Sequence, residues 1–218
     1  MSRSSPIKPK KQRARAAVFG LADGIAALKA GQLVVYPTET FYALGADAFS
    51  STALRRLFRV KEREPGRPVG LIAADTAMAF SVAREIPIDA RRLAGAFWPG
   101  PLTIVLPARD DLAPELTGPD GVSVRVSPNP VARALSAAIG RPITATSANL
   151  SGKAPASTLD EARVGLGEKV KVYFEGGKLA ASAPSTVVAV KGSEWKMVRV
   201  GAISKDQIAA ALAGGALK

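Results

Sequence analysis

Cysteine and histidine are both absent from the 218 residues of this chain. Without cysteine there is no disulfide framework, no zinc finger and no thiolate nucleophile. Without histidine the commonest metal ligand and the usual general base are missing too. Aromatic residues make up only 6%. Charged residues interrupt every apolar run well short of the roughly 20 residues that a membrane-spanning helix needs. The N-terminus is basic but has no apolar stretch of the kind a secretory signal carries. Neither the phosphate-binding loop ending in Gly-Lys-Ser/Thr nor the Gly-x-Gly-x-x-Gly turn occurs, so phosphates must be held another way. No internal repeat is visible. These absences leave a cytoplasmic protein, without a membrane segment, as the expectation.

What is present suits one buried domain, with 47% apolar residues, 20 Gly and 16 Pro. The net charge of +12 is unevenly placed. Arg3, Lys8, Lys10, Lys11, Arg13 and Arg15 lie in residues 1–15 without an acid among them, so half the excess sits there and the remainder carries +6. With Ser2, Ser4, Ser5, Pro6 and Pro9 interspersed, that segment has nothing with which to build a core. Residues 1–16 are expected to be a disordered basic tail, either solubilising or touching RNA phosphates in a salt-sensitive way. Residues 17–214 are expected to form one domain.

Periodicity in that body alternates between helix and strand. Leu21, Ile25 and Leu28 share a stripe that predicts a helix over 18–30, with Gly31 past its end. Residues 32–36 read as a strand closed by Pro37. Ser51 or Thr52 caps a helix to about residue 62 with Leu54, Leu57 and Phe58 inward, leaving Lys61 and Arg63 at its frayed end. Further strands are expected near 69–73, 102–107, 122–127, 143–146, 170–174, 185–190 and 195–200. Further helices are expected near 75–84, 89–97, 130–139, 159–166 and 205–212. This mixed order with hairpin-like pairs predicts an α/β fold with a mixed sheet.

Lys61-x-Arg63 offers a compact ammonium and a planar fork, both suited to phosphate oxygens. Taken alone it is more readily a solvated helix end. Residues 144–149 begin as a buried strand and end in Ser147-Ala148-Asn149, at the kind of strand end where open α/β sheets bind ligands. A plain turn reads equally well there. Pro37-Thr38-Glu39-Thr40 places hydroxyls and a carboxylate after a strand. Arg125 and Arg199 each interrupt an apolar strand and must be paired, face a ligand or lie on an exposed face.

Seven segments, taken in order, resemble the YrdC/Sua5 family of threonylcarbamoyl-AMP synthases. They are Tyr36-Pro37-Thr38-Glu39-Thr40, Lys61-x-Arg63, Trp98-Pro99-Gly100-Pro101-Leu102-Thr103, Val124-Arg125-Val126, Thr146-Ser147-Ala148-Asn149-Leu150-Ser151-Gly152, Pro184-Ser185-Thr186-Val187-Val188 and Arg199-Val200-Gly201-Ala202-Ile203-Ser204. They span about residues 18–213, in the manner of the short, single-domain form. The resemblance implies a twisted mixed sheet flanked by helices around a concave basic cavity. It implies L-threonine, bicarbonate or CO2, and ATP with Mg2+ as reactants. Threonylcarbamoyl-AMP and pyrophosphate are the products, the former handed to a transferase complex that modifies adenosine 37 of tRNA. Lys61 and Arg63 would be the catalytic cations. Lys61, Arg63, Ser147, Asn149 and Arg199 would hold ATP, and Thr38, Arg125, Ala145 and Ser185 would line the threonine pocket. No protein-built metal site is implied. An RNA-binding module of the same family, without adenylation, is the alternative. The chain departs from the family after Arg63, with Glu64 where many members have proline and no histidine beyond Pro68-Val69.

Overall fold

The structure is a computed structural model that describes residues 20–64, 66–180 and 183–214. The expected tail, residues 1–16, and Pro65 lie outside the described residues.

The chain begins with α1 (Leu21–Lys29), β1 (Val34–Tyr36), β2 (Ala43–Gly45) and α2 (Ser51–Lys61). It continues through β3 (Leu71–Ala73), α3 (Thr76–Phe80), α4 (Ile88–Phe97), β4 (Leu102–Leu106), β5 (Thr117–Gly118) and β6 (Gly121–Val126). Then follow α5 (Pro130–Ile139), β7 (Ile143–Thr144), β8 (Thr146–Ser147), α6 (Leu159–Leu166), β9 (Val172–Tyr173), β10 (Thr186–Lys191), β11 (Glu194–Arg199) and α7 (Lys205–Ala213). The expected mixed α/β fold is present, but in two sheets instead of one. The smaller runs β8-β2-β1-β9 and the larger β11-β10-β4-β6-β3-β7, with β5 beside β6.

The segment read as one strand over 143–146 divides the sheets. Ile143 and Thr144 pair with β3, whereas Thr146 and Ser147 pair with β2. Ala145 between them donates its N–H to Gly70 O at 2.7 Å, so the backbone stays satisfied while it changes partner. β2 escapes the sequence reading because three residues are too few to show a period. The helix expected over 75–84 stops at Phe80, and Asp75 caps its start, accepting from Met78 N at 2.8 Å. Helix α5 matches its expected bounds. Asn129 caps it, Pro130 occupies its first position where no N–H is needed, and Gly140 follows in the left-handed conformation.

Three apolar clusters fill the spaces. α3, α4 and α7 cover one face of the large sheet through Phe80, Leu93, Trp98 and Ile208 on Ile104, Val124 and Val188. α2 and α6 cover the small sheet through Leu57, Ala162 and Leu166 on Val35 and Leu44. α1 and α5 close the space between the sheets with Leu28 and Leu135 against Tyr36, Ile72 and Ile143. Leu21, expected to face inward, is 41% exposed because only the Leu28 end of α1 reaches that space.

Alternation along the large sheet leaves a second face partly uncovered. In β6 the valines 122, 124 and 126 enter the core, so Ser123 and Arg125 project together from the opposite side. Leu102, Ile104 and Leu106 of β4 point to the core, leaving Thr103 on the same side as Ser123. That polar face becomes the wall of a cavity.

Candidate functional site

The cavity has a volume of about 330 Å³, within the range of small-molecule sites. Residues 40–43, residues 68–71, the Ala145–Ser147 crossing and the polar face of the large sheet enclose it. Among the described residues three guanidinium groups line it, from Arg63, Arg125 and Arg199, and no carboxylate does.

Each arginine arrives by a different local device. Arg63 follows α2, which ends when Glu62 adopts φ 51° and ψ 44°, turning the chain out of the helix. Arg63 then donates from Nε to Arg67 O at 2.8 Å and from Nη2 to Pro68 O at 2.9 Å, tying the loop to itself. Arg125 belongs to β6 and is 8% exposed. Its Nε lies 3.4 Å from Glu39 Oε1, and among the described residues neither of its terminal nitrogens makes a hydrogen bond. Arg199 reaches the cavity through an irregularity in the β10–β11 hairpin. Met197 pairs with Val188 on the core side, but Arg199 pairs with Val187, one residue having been absorbed between them. That bulge turns Arg199 away from the face used by Trp195 and Met197. There it donates from Nε and Nη2 to Ser185 O, and from Nη2 to Ser185 Oγ at 3.0 Å.

Electrostatics make this a wall in want of an anion. Burial, then the neighbouring Arg67, lowers the pKa of Arg63. Burial, then the charge of Arg125, lowers that of Arg199. Guanidinium groups stay protonated at any ordinary pH, so bound negative charge, and not deprotonation, is what would relieve the positive potential.

Of the residues singled out from sequence, Arg63, Arg125, Ala145, Ser147, Ser185 and Arg199 come together around the cavity. Thr38, Lys61 and Asn149 lie behind its wall. Lys61, expected on a frayed helix end, is 2% exposed instead. Its ammonium donates to Ser147 O at 2.5 Å, Asn149 O at 2.7 Å and Asn149 Oδ1 at 3.4 Å. Three protons meet three acceptors, so the lysine pins the strand end that carries Ser147. Burial, then the charge of Arg63, pushes its pKa down to about 8. The Asn149 amide donates to Leu150 O and Lys153 O and closes the following turn. Thr38 donates to Phe41 O at 2.7 Å and accepts from Thr40 N, so it shapes the turn that presents Thr40 to the cavity.

Thr40, Thr103, Ser123 and Thr146 also line the cavity, and none was singled out for a role from sequence. Ser123 had a signal, since it sits two residues before Arg125 in an apolar strand and so shares its face. Thr103 hydrogen-bonds Ser185 across 2.9 Å, a contact between β4 and the start of β10 that only the parallel pairing of those strands creates.

Comparison with known proteins points in one direction. The model of the Sua5/YciO/YrdC family, described as telomere recombination, matches residues 26–201. The threonylcarbamoyl-AMP synthase of Vibrio cholerae is 39% identical over 175 residues, which cover 79% of this chain and 93% of that protein. The crystal structure of P. abyssi Sua5 complexed with L-threonine superposes with a TM-score of 0.83 at 33% identity, covering 88% of this chain and 56% of that one. This chain thus spans little more than half of that longer relative. E. coli YciO superposes with a TM-score of 0.77 at 26% identity, covering 86% of this chain and 92% of that one.

Proposed function

This chain belongs to the Sua5/YciO/YrdC family, and on that premise we propose that it is an L-threonylcarbamoyladenylate synthase. It condenses L-threonine, bicarbonate or CO2, and ATP into threonylcarbamoyl-AMP and pyrophosphate, for the N6-threonylcarbamoyladenosine modification at position 37 of tRNA. The observation that carries this reading is the cavity with three arginines and no carboxylate in its wall. ATP, bicarbonate, pyrophosphate and threonylcarbamoyl-AMP are anionic and threonine carries a carboxylate, and such a wall concentrates them.

The chemistry needs no imidazole. The threonine amine and CO2 form a carbamate with release of a proton. A carbamate oxygen, already negative, attacks the α-phosphorus of ATP. The new O–P bond forms as the bond from that phosphorus to the bridging oxygen breaks, and pyrophosphate leaves with the electron pair. Catalysis is then positioning plus stabilisation of spreading charge. Arg125, with both terminal nitrogens uncommitted, takes the threonine carboxylate as a bidentate fork. Ala145, Ser185 and the Thr38-built turn complete that pocket. Arg63 and Arg199 face the phosphates, with Ser147 on the nucleotide side. Lys61 and Asn149 serve the same side by fixing the strand end behind it. Magnesium arrives as part of its ATP complex, because hydroxyls and carbonyls in this wall offer it no carboxylate.

The wider setting follows the same reading. Residues 17–214 act as one catalytic domain in the cytoplasm, and no helix among the described residues is long and apolar enough to cross a membrane. The product passes to a transferase complex, and tRNA is met by the basic surface or by the tail.

Pyrophosphate release from ATP, measured with and without L-threonine and bicarbonate, tests the reading. Release that requires both supports it. Release that ignores threonine, or tRNA binding without release, overturns it. Within the same assay Arg63→Ala is expected to weaken ATP binding by about 1.5–3 kcal/mol, the usual worth of a hydrogen bond to a charged group.

A further inference from the structure

Glu39 is a carboxylate placed directly behind the arginine wall. Its Oε1 lies 3.4 Å from Arg125 Nε, and the two side chains are 13% and 10% exposed. Its Oε2 accepts from Ser127 Oγ. Ser127 is fully buried, and its Oγ accepts in turn from the N–H of Asn129 at 3.2 Å. Asn129 is the residue that caps α5, so Glu39 is anchored to the start of a packed helix.

Two features of this cluster are unusual. The ion pair engages Arg125 at Nε, the inner edge of the guanidinium, so the outer edge with its two Nη groups stays turned to the cavity. Yet Glu39 Oε1 and Arg125 Nε are both shut away from solvent, and neither makes a hydrogen bond with a described residue. A buried guanidinium needs compensating charge, and charge without directed hydrogen bonds restrains its plane only through Coulomb attraction and packing. The orientation of the fork therefore depends on Glu39 being held still by Ser127.

We infer that Glu39 is a positioning residue for recognition of the substrate carboxylate. Held by Ser127, it fixes the Arg125 plane so that Nη1 and Nη2 together face the cavity. This rests on the reading of Arg125 as the partner of the threonine carboxylate. Ser127 and the capped start of α5 thereby belong to the binding machinery without touching substrate. In its absence Arg125 would keep its charge but lose its aim.

Steady-state pyrophosphate release by the full chain separates this role from simple stabilisation. Glu39→Gln keeps the volume and removes the charge. It is expected to raise the KM for L-threonine about tenfold or more, while the KM for ATP stays within about twofold. Glu39→Asp, which keeps the charge one methylene short, is expected to recover part of that loss. In an Arg125→Lys background, which has no Nε–H to hold, Glu39→Gln should add little. Ser127→Ala should move the threonine KM in the same direction as Glu39→Gln. An unchanged threonine KM, an equal rise in both KM values, or a fully additive penalty in the Arg125→Lys background overturns the inference. A second readout needs no turnover. The Nε–Hε resonance of Arg125, assigned by its loss in Arg125→Lys, should shift and exchange faster with water in Glu39→Gln. An unmoved resonance refutes the positioning role even if the chain proves to make no threonine-dependent pyrophosphate, so the two readings fail separately.

Discussion

The Lys61 ammonium donates all three of its protons to the Ser147–Asn149 strand end. Its contribution is to hold a wall in place, and truncating it leaves buried carbonyls without donors. Lys61→Met is expected to destabilise the fold by about 1–3 kcal/mol, measured by urea unfolding. The lowered pKa of about 8 adds a signature in pH. A lysine in the unfolded chain titrates near 10.4, so between about pH 8 and 10.4 the unfolded state binds more protons than the folded one. Stability therefore gains from this group as pH rises through that window. The urea midpoint of the wild type should improve relative to Lys61→Met between about pH 7.5 and 9.5, and parallel curves would contradict the burial of this ammonium. At this scale the sequence named the residue types of the site but not their roles. A lysine ten residues into an amphipathic helix reads as surface, and its acceptors lie more than 80 positions downstream.

Elements decide which side of the wall a residue occupies. α2 ends on Glu62 in the left-handed region, with the Glu62 N–H bonded to Arg59 O and the Arg63 N–H to Phe58 O. A side chain at that φ costs about 1 kcal/mol over glycine. The only described partner of the Glu62 carboxylate is the exposed Lys169 at 3.7 Å, a pair worth little. Glu62→Gly should therefore raise stability by up to about 1 kcal/mol by urea midpoint without moving Arg63. Ala145 is the converse case. Its N–H to Gly70 O bond sits where the chain passes from one sheet to the other. Ala145→Pro removes that donor and should destabilise by about 3 kcal/mol or more, with loss of threonine-dependent activity. Helix α5 keeps the bounds expected of it, and its cap, proline and glycine are all local signals. The division at Ala145 was not legible, because four residues with strand character say nothing about which partner each will take.

At the scale of the whole molecule, the two sheets put their apolar faces against helices and leave one polar face between them. Glu39 sits against one of the three arginines from behind, among the described residues no carboxylate lines the cavity itself, and the chain carries a net +12. Attraction for ATP should then be screened by salt. The KM for ATP is expected to climb several-fold between about 0.05 and 0.5 M NaCl, with a smaller change in kcat. A KM indifferent to salt would argue against phosphates resting on these arginines.

Composition, periodicity and capping residues determined by themselves that this is an α/β protein without thiol or imidazole chemistry, and they marked most of its helices and strands. These are local properties, set by side-chain alternation and by hydrogen bonds a few residues long. The ordered segments also brought Arg63, Ser147, Arg125 and Arg199 to notice. Only the tertiary structure decided that Arg199 turns into the cavity, because a single bulge reverses the face that simple alternation assigns it. Only it placed Lys61 behind the wall and Glu39 behind Arg125. Those outcomes depend on strand partners and buried acceptors tens of residues away, and a linear pattern carries no record of which distant groups will meet.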